Sequence, residues 1–177
     1  MRVAMTFDNK IHHRKSIRLR NFDYSHAGAY FITICTQNRE CLFGEIVADE
    51  MQLDSVGLIV KKIWQEIPIH YPQLALDEFV VMPNHIHGII NLHRRDLGTA
   101  SSAPMEFRCI VPTLGKIMRR FKSMSAIAVN KSLGRSLQPL WQRNYWERVV
   151  RDEKELHAMQ EYIANNPRQW ELDKLHP

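Results

Sequence analysis

The chain of 177 residues is poor in the features that would mark it as secreted, membrane-bound or metal-stapled. It has three cysteines, Cys35, Cys41 and Cys109, an odd number at no zinc-ligand spacing. They read as reduced thiols of a cytosolic protein rather than a disulfide framework. No run of 18 apolar residues exists, so a membrane-spanning helix is excluded. The first residues, Met1 to Asp8, lack the apolar core of a secretory signal. There is no internal repeat and no low-complexity tract. What remains is an ordinary globular composition, 45% hydrophobic and 24% charged, with length for one domain and a real core.

Acid is scarce in two places. Residues 1–28 carry a net +4, and residues 114–151 carry nine Lys/Arg against Glu147 alone, a net +8. The rest of the chain is −7, so the overall +5 conceals two basic blocks on an acidic background. That distribution suggests a polyanionic partner.

Patterning gives the elements. Residues 29–36 are β-branched and aromatic and read as a strand. Val56, Ile59, Val60, Ile63, Trp64 and Ile67 share one face of a helix predicted from Ser55 to about His70, capped by Asp54 or Ser55. Apolar runs at 74–82 and 85–92, joined by Pro83-Asn84, read as a hairpin. Gly98 to Pro104 lies in a loop. A second helix is expected after Pro112, burying Leu114, Ile117, Met118, Phe121, Met124 and Ala128. A short strand follows at 144–151, then a helix begun by the Asp152/Glu155 capping box and ended near Asn166 by Pro167. The order β-α-β-β-α-β-α predicts an α+β, ferredoxin-like βαββαβ sandwich with a four-stranded antiparallel sheet plus a C-terminal helix. The expected organisation is a basic arm at 1–28, a domain at 29–170 and a tail at 171–177.

Two constellations carry chemistry. His85 and His87 alternate along a strand, so their imidazoles project to one face while Ile86 enters the core, forming a half-site for a divalent metal. Tyr162 and Asn166, four residues apart, lie within about 40° on the last helix, at the edge of its apolar stripe.

These residues stand in stretches that resemble the single-tyrosine HUH transposases. Val80-Val81-Met82-Pro83-Asn84-His85-Ile86-His87-Gly88-Ile89-Ile90 is similar to the motif of two histidines about a bulky apolar residue. Glu161-Tyr162-Ile163-Ala164-Asn165-Asn166-Pro167 resembles the nucleophile helix, and Trp141 to Arg151 resembles the run ahead of it. Tyr24-Ser25 and Tyr30 to Thr33 fit as well, so the likeness spans about 15–170, nearest to the REP-associated branch. The resemblance implies metal-dependent cleavage and rejoining of single-stranded or hairpin DNA through a 5′-phosphotyrosine. Tyr162 would be the nucleophile, and His85, His87 and Asn166 the metal ligands. Many relatives have Gln at the third ligand position, and Asn165 is the alternative here. A mixed N/O site suits Mg²⁺ or Mn²⁺.

DNA contacts are expected from Arg14, Lys15, Arg18 and Arg20 of the arm. On the second basic block they are expected from Lys116, Arg119, Arg120, Lys122, Trp141, Arg143, Tyr145 and Arg148, with Trp146 among the interleaved aromatics. A prokaryotic cytoplasmic, nucleoid-associated protein is expected, with monomer and homodimer both compatible. Two rival readings remain open at this point. One is a catalytically silent hairpin-binding regulator. The other is an unrelated metal hydrolase using His85 and His87 with Asp77 or Glu78.

Overall fold

The computed structural model describes residues 27–93 and 112–177. Arg14, Lys15, Arg18 and Arg20, with the rest of the arm to residue 26, and the loop segment 94–111 lie outside the described residues.

The main sheet is built from β1 (Gly28–Cys35), β4 (Leu74–Val81), β5 (His85–Leu92) and β6 (Trp146–Val150). Its order is β4-β5-β1-β6, with every neighbouring pair antiparallel. Interleaved with α1 (Ser55–Gln65) and α3 (Leu114–Ser132), this is the expected ferredoxin-like βαββαβ arrangement. Alternation along the two central strands separates two cores. Tyr30, Ile32 and Ile34 of β1 and Ile86 and Ile90 of β5 face α1 and α3. Phe31 and Ile89 face the opposite way, against Ile163 of α4 (Glu153–Asn165). Placing Ile86 in the larger core therefore sends its neighbours His85 and His87 to the α4 face.

Gly88 is required by packing. A Cβ there would lie 2.4 Å from the Trp64 ring. Trp64 stacks on Phe79 at 4.6 Å and 8°, and meets Phe121 edge-on. The helix caps are as the sequence signals them. Asp54 accepts from the amides of Val56 and Gly57, and Asp152 accepts from the amide of Glu155.

Three details differ from expectation. The single helix predicted to His70 stops at Gln65, and a short α2 (Ile67–His70) follows. Pro68 has no N–H to donate to Trp64, and its ring would meet that carbonyl. A two-stranded sheet of β2 (Gly44–Val47) and β3 (Glu50–Leu53) stands apart from the main one. Its turn residues, Ala48 and Asp49, both adopt positive φ without glycine or asparagine to announce it. The buried stripe of α3 passes through Ser125 and Val129, leaving Met124 exposed. Ser125 is buried because its hydroxyl accepts the indole N–H of Trp141 at 2.8 Å.

No helix among the described residues is long and apolar enough to cross a membrane.

Candidate active site

The two histidines are buried, and their protonation is set by neighbours. The Asn84 side-chain amide donates to the carbonyls of Arg39 at 3.2 Å and Leu175 at 2.8 Å. That leaves its oxygen facing His85 Nδ1 at 2.8 Å, so His85 carries its proton on Nδ1 and a lone pair on Nε2. His87 Nδ1 lies 2.8 Å from the Thr33 hydroxyl. The two Nε2 atoms are 3.1 Å apart. A proton on His87 Nε2 relieves that contact in the ion-free chain, with Thr33 then donating to Nδ1. Burial lowers the pKa of His85 to about 4, against the opposing pull of Asp173. Burial and the His85 charge hold His87 well below its ordinary range. Both rings are therefore neutral near pH 7, the form in which imidazole ligates metals.

Two oxygens converge on the same point. Asp173 Oδ2 lies 3.7 Å from His85 Nε2, and Asn166, only 2% exposed, bears on both the His85 ring and the Tyr162 phenol. Neither Asp173 Oδ2 nor Asn166 Oδ1 has a hydrogen-bond partner among the described residues, although both are buried. Uncompensated buried acceptors are costly. His85, His87 and Asp173 form a set able to hold a metal ion. The histidine spacing also suits two ligands each about 2.1 Å from one cation and set at a right angle. The donor set thus fits a divalent ion, with the Nδ1 partners supplying the outer hydrogen bonds such ligands usually have.

Asp173 was not singled out in the sequence. It lies beyond the last periodic segment, in residues read as a tail, and no spacing rule marks it. The chain there is held by a 3₁₀ turn (Pro167–Leu172), by Trp170 packed on His85, and by Arg39 donating to the Lys174 carbonyl. Asn165 is exposed, whereas Asn166 is buried and lines the cavity beside the histidines.

Tyr162 enters from α4. Its hydroxyl is 3.4 Å from His87 Nε2, across 75 positions of sequence, and the ring packs edge-on to His87 at 5.2 Å. The residue remains 41% exposed. Burial and the Asp173 carboxylate raise its pKa, with Asn166 acting in the other direction. Gln160, also on α4, donates to Asp77 at 2.8 Å and so fastens the helix to the sheet. Asp77 is thus a structural anchor, bonded also by Asn91, and Glu78 is exposed. Neither belongs to the carboxylate set beside the histidines, which Asp173 supplies.

A cavity of about 930 Å³ opens beside this cluster. Thr33, His87, Tyr162 and Asn166 form one end, and Trp146, Met159 and residues 172–175 continue its wall.

The expected DNA contacts divide. Trp141 is a correction: it is 6% exposed and packs on Phe43 and Phe121, because its indole is tied to Ser125. Lys122 is held by its own chain. Its half-buried ammonium donates to the carbonyls of Gln142, Arg143 and Asn144 and is engaged inside the protein, with burial lowering its pKa. Lys116, Arg119 and Arg120 are exposed, but α3 lies across the sheet from the histidine face. Arg143 is exposed, Arg148 pairs with Glu155, and Tyr145 lines the cavity.

No family model matches the chain. An uncharacterized protein of Haemophilus influenzae is 45% identical over 181 residues, covering 98% of this chain and 99% of its own. A second protein of that organism, named "Putative REP-associated tyrosine transposase", is 26% identical over 145 residues, 82% of this chain and 73% of its own. Among solved structures, a REP-associated tyrosine transposase bound to a REP hairpin superposes with a TM-score of 0.56 at 20% identity, covering 88% of this chain and 74% of the other. The chain belongs to one family with the 45% identical Haemophilus protein, and it is similar in fold, and distantly in sequence, to proteins named as REP-associated tyrosine transposases.

Proposed function

We propose that this protein cuts and rejoins single-stranded or hairpin DNA, with Tyr162 as nucleophile. The observation that carries the reading is the convergence of a phenol from α4 with paired neutral imidazoles from β5, the Tyr162 hydroxyl standing 3.4 Å from His87 Nε2. The related transposase solved with a REP hairpin, and the basic blocks of the sequence, support DNA as the substrate.

A phosphodiester resists attack because it and the ionised nucleophile are both negative. Tyrosine titrates near pH 10 in water, and here burial and Asp173 push it higher. The site therefore needs positive charge. His85, His87, Asn166 and Asp173 would hold it. A divalent cation, Mg²⁺ or Mn²⁺, would polarise the phosphoryl oxygens and offset the charge gathered there. The protein's own part is largely positioning. Phe31 backs both the His87 and Tyr162 rings, and the Asp77–Gln160 bond fixes the height of α4 on the sheet.

In the reaction the Tyr162 oxygen bonds to phosphorus, and the bond from phosphorus to the 3′ oxygen breaks. The phenol loses its proton to water, and the departing 3′ oxygen takes one up. The 5′-phosphotyrosine conserves the ester bond, so a second 3′-hydroxyl can displace Tyr162 without ATP. Incubation with hairpin oligonucleotides and Mn²⁺, followed by a denaturing gel, tests this. A protein–DNA adduct present for the wild type and absent for Tyr162→Phe is expected. Hairpin binding with no adduct would leave a silent DNA-binding regulator instead.

A further inference from the structure

The cavity beside the histidines has an unusual lining for a protein that would grip a polyanion. Among the described residues its walls are mainly apolar and aromatic, and they carry one cation, Lys174. Phe31, 3% exposed, lines it, with the Trp146 ring 5.7 Å and the Tyr162 ring 6.0 Å from its own. Gln142, Asn144 and Gln169, which carry neutral amide side chains, also line it. Neutral amides offer paired donors and acceptors, which suit the edges of bases. Phosphates would call for cations.

Trp146 stands out among the tryptophans. Trp64, Trp141 and Trp170 are buried, whereas Trp146 is 49% exposed. It sits on the edge strand β6, opposite Thr33, the residue that holds His87. A large apolar ring left open to water on a strand edge, and facing a cavity, loses by its exposure what burial would gain. The cavity is continuous with the proposed cutting site, since His87 and Tyr162 line both.

We infer that the cleft between Trp146 and Tyr162 receives an unpaired nucleobase of the strand being cut, stacked on Trp146 above Phe31 and met at its edge by the amides. This rests on the DNA reading above and adds the subsite that seats the base next to the scissile phosphate. It separates two tasks. The histidine cluster handles the phosphate, and the cleft admits only strands whose bases are free of a duplex.

The test is binding in EDTA, where no cutting occurs. The probes are an oligothymidylate and an abasic deoxyribose-phosphate strand of the same length and charge. Because the other three tryptophans are buried, quenching of intrinsic fluorescence reports Trp146. The oligothymidylate is expected to quench emission and to bind roughly tenfold or more tightly than the abasic strand. Trp146→Ala should remove that preference, and Trp146→Phe should restore most of it. Equal affinity for the two strands without quenching overturns the cleft, and a Tyr162 adduct formed in a parallel Mn²⁺ reaction would show that the cutting reading survives it. Failure of both strands to bind overturns the cleft, and absence of the adduct as well overturns the cutting reading.

Discussion

The Asn84 side chain decides the chemistry of His85. Its amide nitrogen is committed to two carbonyls, so its oxygen must accept the His85 Nδ1 proton, leaving Nε2 free to ligate. Asn84→Ala should therefore weaken Mn²⁺ binding by about 10- to 100-fold with the ligands all in place. Titration followed by Mn²⁺ electron paramagnetic resonance measures this, and an unchanged affinity would contradict the assignment. The neutral histidines also fix a pH dependence. Their folded pKa values lie below the unfolded value near 6.5, so the unfolded chain binds more protons between the two. In metal-free buffer, stability should be full above about pH 6.5 and fall as the pH drops toward 4. Urea unfolding across that range should show a shallower loss for His87→Gln than for the wild type.

Elements rather than single residues bring the phenol to the histidines. Ile86 and Ile90 bind β5 to the larger core, and that choice alone sends His85 and His87 to the α4 side. The strand can approach α1 closely only because Gly88 leaves room for Trp64. Gly88→Ala should cost roughly 1–3 kcal/mol by overpacking, read as a lowered denaturation midpoint, and should disturb the adjacent His87. Much of this was legible in the sequence, since periodicities of 2 and 3.6 and the capping residues mark β1, β5, α3 and α4 directly. The β2–β3 hairpin was not, because Ala48-Asp49 lacks the usual turn chemistry. Asp173 was hidden for a different reason. It reaches the site through tertiary contacts of Trp170, Arg39 and Asn84 with a segment that has no periodicity of its own. Trp141 misled because an aromatic between basic residues has the same sequence signature whether it stacks on a base or fills a core.

Across the described residues, the sheet separates the exposed arginines of α3 from the histidine cluster. The exposed Arg119 and Arg120 stand on α3, while Tyr162 and the histidines face α4 on the other side. Charge on α3 can steer a strand or hold a distant stem, but it does not touch the histidine cluster where cutting is proposed. Reversing it with Arg119→Glu and Arg120→Glu should weaken DNA binding and flatten its dependence on salt, while leaving the single-turnover rate at saturating DNA unchanged. A collapsed rate at saturation would show that α3 belongs to the reaction centre after all. The central claim concerns which atom carries the DNA. Mass spectrometry of the peptide containing Tyr162, after reaction with a hairpin oligonucleotide and Mn²⁺, tests it most directly. A 5′-nucleotide attached to the Tyr162 oxygen is the predicted result; cut DNA with an unmodified Tyr162, or attachment at another residue, would contradict it.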